Sequence, residues 1–125
     1  LNEVPKPLSD LIAGRSGSFG ELSVRAGISE SPPGLCLTLS GSLDNDNSRE
    51  FRALAQSALE CVGNGEALIL DLAGLGYVSS AGVGALTTLL ADAKRRETYL
   101  FLGRMQERVK AVFELLGFAD FFSYI

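Results

Sequence analysis

The chain contains no histidine and no tryptophan. Without histidine it lacks the commonest general base and the commonest metal ligand. Its cysteines number two, Cys36 and Cys61, and they form no CxxC pair. A zinc site therefore has no ligand set. Two isolated thiols suit a reducing compartment better than a disulfide framework. No apolar run approaches the roughly 18 residues that span a bilayer. The first residues lack the basic start and apolar centre of a signal peptide. Basic clusters are also scarce. Lys94, Arg95 and Arg96 are the densest group, in a chain of net charge −4. That footprint argues against gripping a phosphate backbone, and three cations at a helix end complement the helix dipole instead.

What is present suits one ordinary domain. The 125 residues are 46% apolar, enough for a core without staples. Residues 1–18 mix Pro, Gly and Ser around Leu8, Leu11 and Ile12, and read as an arm whose apolar patch docks on the body or on a partner. From residue 19 the pattern is regular. "GELSVRAGI" and "LCLTLSG" alternate apolar and polar residues around "SESPPG", which predicts an antiparallel hairpin. Phe51, Leu54, Ala55, Ala58, Leu59 and Val62 form one helical stripe. Asn47, with Glu50 three residues on, is the expected cap and a relative of the capping box.

"ALILDLAG" is the most apolar run. Ala67 to Leu70 predict a central strand covered on both faces. A helix follows from Ser80 to about Arg96, with Val83, Leu86, Leu89 and Leu90 inward. "TYLFLG" predicts another strand, and Val109, Val112, Phe113 and Leu116 the core face of a last helix. The order β–β–α–β–α–β–α implies an α/β fold: a mixed sheet, antiparallel at first and parallel later, with right-handed crossovers.

The informative stretch is "YVSSAGVGAL", residues 77–86, where the strand pattern gives way to the helix pattern. Strand-to-helix junctions are common ligand sites in α/β proteins. One of the two serines could be a plain N-cap, worth about 1 kcal/mol. The glycines ask for more. Each costs roughly 0.8–1.0 kcal/mol against alanine inside a helix. With Ala81 and Ala85, Gly82 and Gly84 strip the helix start of side chains, so something approaches its backbone closely. "GLGYVS" and "GVGALT" echo a dinucleotide-binding glycine motif but lack the third glycine and the following acidic residue. Serine hydrolase chemistry has no histidine, and Lys94 lies about 20 Å along the helix from Ser80 at roughly 1.5 Å per residue. A serine there suits a phosphoryl group. About −1.5 to −2 charges would be tolerated by the helix dipole and would repel a partner packed on the bare surface.

The element order, "LTLSGSLD", "ALILDLAGLGYVSSAGVGAL" and "RVKAVFELLGFADFF" together resemble the STAS domain over residues 19–125, and within it the bacterial anti-sigma factor antagonists. That resemblance implies a cytoplasmic protein that is not an enzyme and holds no cofactor. It implies a serine kinase partner that is also an anti-sigma factor, with a GHKL-type ATPase fold. Unphosphorylated, such proteins bind that kinase and free the sigma factor. Phosphorylated, they let go, and a phosphatase resets them. The resemblance leaves room for a weak homodimer.

The family acceptor sits in an Asp-Ser-Ser/Thr-Gly context. Aligned on Gly82, the acceptor is Ser80, with Ser79 as second choice, and Ser79 replaces the usual aspartate. Asp44 matches the family's acidic residue after the second strand. The expected partner surface is Asp44, Ser79, Ser80, Ala81, Gly82, Val83 and Gly84. Two other classes remain: an accessory STAS subunit or domain of a lipid or anion transporter, and a small-ligand site at the same helix start.

Overall fold

A computed structural model describes all 125 residues. The expected order is present as β2 (Leu22–Glu30), β3 (Pro33–Leu43), α2 (Ser48–Cys61), β4 (Ala67–Val78), α3 (Ser80–Arg95), β5 (Tyr99–Gly103) and α4 (Glu107–Leu115). Short elements are added at both ends: α1 (Lys6–Ala13), β1 (Ser18–Phe19), a 3-10 turn at Ala119–Phe121 and β6 (Ser123–Tyr124). The six strands lie in chain order across one sheet. β1, β2 and β3 pair antiparallel, and β3 through β6 pair parallel. No helix is long and apolar enough to cross a membrane.

Each parallel crossover steps to the next strand in the same direction. Right-handed crossovers of that kind place α2, α3 and α4 on one face. The core follows. Leu35, Leu37 and Leu39 of β3, Leu68, Leu70 and Leu72 of β4, and Leu100 and Leu102 of β5 join Phe51, Leu54, Leu59, Val83, Leu86, Leu89, Val109 and Phe113 in one cluster.

The other face has no helix on it, which corrects the expectation of a strand covered on both sides. The core takes Leu68 and Leu70 from β4 but not Ala67 or Ile69. The continuous apolar run misled because strand neighbours bury Ile69 to 8% exposure without a covering layer. Beside it, Asp71 accepts two hydrogen bonds from Arg104, Nε to Oδ1 at 3.2 Å and Nη2 to Oδ2 at 2.5 Å. Those bonds hold the Asp71 carboxyl below the usual range, against the opposing effect of partial burial. The neighbouring Cys36 thiol is pushed up, chiefly by burial, so it is not an activated nucleophile.

The first eighteen residues are fastened to the body. Leu8 is 1% exposed within the core, Arg15 pairs with Glu50 of α2, and β1 extends the sheet. The expected capping box is absent. Glu50 is drawn to Arg15, and Asn47 makes no side-chain cap. At 2% exposure, Asn47 instead turns back: its Oδ1 accepts from Asp44 N at 2.9 Å and its Nδ2 donates to Ser42 O at 2.9 Å.

Candidate functional site

The carboxyl ends of β3 and β4 run side by side, with Ser42 opposite Tyr77 and Leu43 opposite Val78. Ser79 N then donates to Leu43 O at 2.9 Å. This bond brings the loop after β3, which starts at Asp44, against the start of α3. Asp44 accepts through Oδ1 from Asp46 N at 2.9 Å and Asn47 N at 3.1 Å. The carboxylate shapes its own loop and stays half-buried.

The two serines have different environments. Ser79 is extended at the N-cap, and its Oγ accepts from Gly82 N at 3.1 Å. Ser80 is the first helical residue, exposed, with a hydroxyl bonded to nothing in the chain. The N–H groups of Ser80 and Ala81 precede the helical ladder and have no acceptor, as the first turn of any helix requires. Together with the helix dipole they favour negative charge at this point.

The two glycines also differ. A Cβ on Gly82 would lie 2.8 Å from Leu43 O and 2.8 Å from Val78 Cγ2. Gly82 lets α3 seat against the ends of β3 and β4. Gly84 is exposed, and a Cβ there would meet nothing within 4 Å. Val83 is fully buried in the core. Gly82 and Val83 therefore support the expected partner surface from beneath and do not form it, because their helical positions face the sheet. The outward strip is Ser80, Ala81, Gly84 and Thr88. Thr88 returns its hydroxyl to Gly84 O at 3.1 Å, which makes the strip less polar. Tyr77, 52% exposed, flanks it.

Sequence reasoning brought Asp44, Ser79, Ser80, Ala81 and Gly84 to one place, and the fold does the same. It missed Asn47, the buried amide that sets the Asp44 loop. Its only signal was the polar run "DNDNS", which does not say which side chain turns inward. The cations of α3, Lys94 and Arg95, sit in its last turn. No group of three or more His, Cys, Asp or Glu side chains is placed to hold a metal.

A family model described as Mlab, STAS domain matches residues 26–123. The fold is similar to that of the anti-sigma factor antagonist SpoIIAA of Bacillus in its unphosphorylated form, with TM-score 0.66 and 17% identity over 82% of this chain and 88% of that one. It is similar to an anti-sigma factor antagonist from Mycobacterium paratuberculosis, with TM-score 0.65 and 14% identity over 82% and 84% of the two chains. It is also similar to part of the murine anion transporter Slc26a9, with TM-score 0.62 and 20% identity over 86% of this chain and 20% of that one. At these identities the likeness is one of fold.

Proposed function

We propose, since this chain belongs to the STAS domain family, that it is a cytoplasmic anti-sigma factor antagonist, a non-enzymatic interaction module switched by phosphorylation of Ser80. The observation that carries this reading is the division of labour between the serines. Ser79 is engaged as the cap of α3, while Ser80 is exposed and unbonded beside Ala81 and Gly84, which carry a single methyl group between them. A cognate serine kinase, itself the anti-sigma factor, docks on this strip and transfers the γ-phosphoryl of ATP to Ser80 Oγ. The hydroxyl proton is lost and ADP leaves. The new charge is stabilised by the free N–H groups of the first turn, so the domain stays folded. The docked surface meets bulk and unpaired charge, and the complex parts. A phosphatase restores the hydroxyl.

The test is incubation with a cognate kinase and ATP, followed by mapping of phosphate by mass spectrometry, with partner affinity measured for Ser80→Asp. Phosphate on Ser80 and a large loss of affinity in the variant are expected. Phosphate found only elsewhere, or unchanged affinity, overturns the proposal. A second reading has specific support: the matching family model carries the description Mlab, and the same fold occurs within an anion transporter. On that reading the outward strip docks on a transporter component. Co-purification from native membranes distinguishes the two, since a switch in the sigma pathway recovers a soluble kinase instead.

A further inference from the structure

A cation without a counterion borders the outward strip of α3. Two contacts fix how α2 and α3 lie together. Gln56 Nε2 donates to Asp92 Oδ2 at 2.6 Å, and Arg96 Nη2 lies 3.9 Å from Glu60 Oε1. Positions 56 and 60 of α2 thus face 92 and 96 at the end of α3, with the same step of four on both. Each helix leads from one parallel strand to the next, so the two run in the same direction. One turn back, Arg52 faces Thr88, and one turn further, Ser48 faces Gly84. Arg52 therefore forms the α2 wall of a groove whose other wall is Ala81, Gly84 and Thr88. It has no partner there. Its Nε is buried and meets no acceptor, while its two Nη atoms, also unbonded, are open to solvent. The carboxylates of both helices are committed elsewhere: Glu50 to Arg15, Glu60 to Arg96, Asp92 to Arg95. In the loop before α2, Asp44 accepts from backbone N–H groups and Asp46 forms no ion pair. Arg49, three residues before Arg52 and on the same side of the helix, adds a second cation. From Ser80 to Ala91, α3 carries no charged side chain.

We infer that Arg52 is the anchor for a carboxylate of the docking partner, an Asp or Glu side chain that enters the α2–α3 groove and accepts from both Nη atoms. The inference rests on the reading of the Ser80 strip as a docking surface and names the chemistry its partner must bring. Charge complementarity carries the choice of occupant. A half-buried guanidinium with an orphan N–H is costly to keep in the free domain, and a carboxylate answers it with two parallel hydrogen bonds. The bare strip beside it selects a protein as the source of that carboxylate. A free anion would answer the charge and leave the strip uncovered, whereas an acidic side chain arrives on a surface that covers both. Once covered, the pair is out of water, where truncating one member is felt most strongly.

Arg52→Met keeps an unbranched apolar stem and removes the guanidinium, and two measurements on it should move in opposite directions. Urea unfolding should give a midpoint above the parent's at equal slope, because the orphan donor is gone. Titration calorimetry with the cognate kinase should give a Kd at least about tenfold higher, with a weaker dependence on salt between about 50 and 500 mM. Arg52→Lys, which keeps the charge without the fork, should fall between the two. Arg108→Met, on α4, should leave both quantities at the parent values. An arginine kept for packing would lose stability on substitution, and a lowered midpoint overturns the inference. So does unchanged affinity in Arg52→Met, or inorganic phosphate bound by the parent and not by the variant, which would make the occupant a free ion. The switch is judged separately. If Arg52→Met binds weakly and Ser80→Asp binds tightly, the anchor stands and the switch falls, and the converse removes the anchor alone.

Discussion

Gly82 and Gly84 are two residues apart on one helix, yet their substitutions should move stability in opposite directions. Gly82→Ala would press a methyl group against Leu43 O and Val78 Cγ2, each at 2.8 Å. Overpacking of this kind costs about 1–3 kcal/mol. Gly84→Ala meets open space and should gain up to about 0.8–1.0 kcal/mol. Urea unfolding midpoints at constant slope would show the two signs. The serines divide similarly. Ser79→Ala removes the bond to Gly82 N and should cost about 1 kcal/mol. Ser80→Ala removes no bond and should stay within about 0.5 kcal/mol of the parent. The same titration reads both. These contrasts were hidden in the sequence. Composition showed a helix start poor in side chains, but it could not say that one glycine faces the strands and the other faces water.

At the scale of elements, the long strands and helices were legible because their apolar residues repeat at the period of their backbone. β1 and β6 were not, since two residues have no period. The first eighteen residues read as an arm because Leu8, Leu11 and Ile12 make one short apolar patch among Pro, Gly and Ser, too short to set a helical period. In the fold α1 inserts Leu8 into the main core. Leu8→Ala should therefore cost about 2–5 kcal/mol, as a core truncation does, measurable as a lower urea midpoint. An arm lying loosely on the surface would lose far less. Between elements, Arg104 ties the exit of β5 to β4 through Asp71. The folded pKa of Asp71 is depressed, so its contribution is present above the unfolded value of about 3.9. It is lost as pH falls through the lower folded value. Asp71→Asn should flatten the stability curve in that acid window and lower it near neutrality, as read from denaturation midpoints between about pH 2 and pH 6.

For the whole molecule, the arrangement separates folding from signalling. The core lies between the helices and one face of the sheet, and the start of α3 is clamped by Gly82 and by the Ser79–Leu43 bond. A negative charge at Ser80 therefore acts at a fixed place on a fixed helix. Ser80→Asp should leave far-UV circular dichroism unchanged and shift stability by no more than about 0.3–1 kcal/mol, upward, through the helix dipole. Thermal unfolding of the two proteins would show it. A marked drop in melting temperature would mean that charge at this position unravels the helix.

The three tyrosines, in a chain with no tryptophan, divide the surface among themselves. Tyr77 flanks the Ser80 strip, Tyr99 stacks on Phe101 on the sheet face without helices, and Tyr124 lies by the chain's end, its hydroxyl donating to Ala119 O at 2.5 Å. All three are between 47% and 57% exposed. Biosynthetic fluorotyrosine would thus give a spectrum of three lines, each a private witness to one side of the molecule. Kinase docking should broaden the first line and leave the other two sharp.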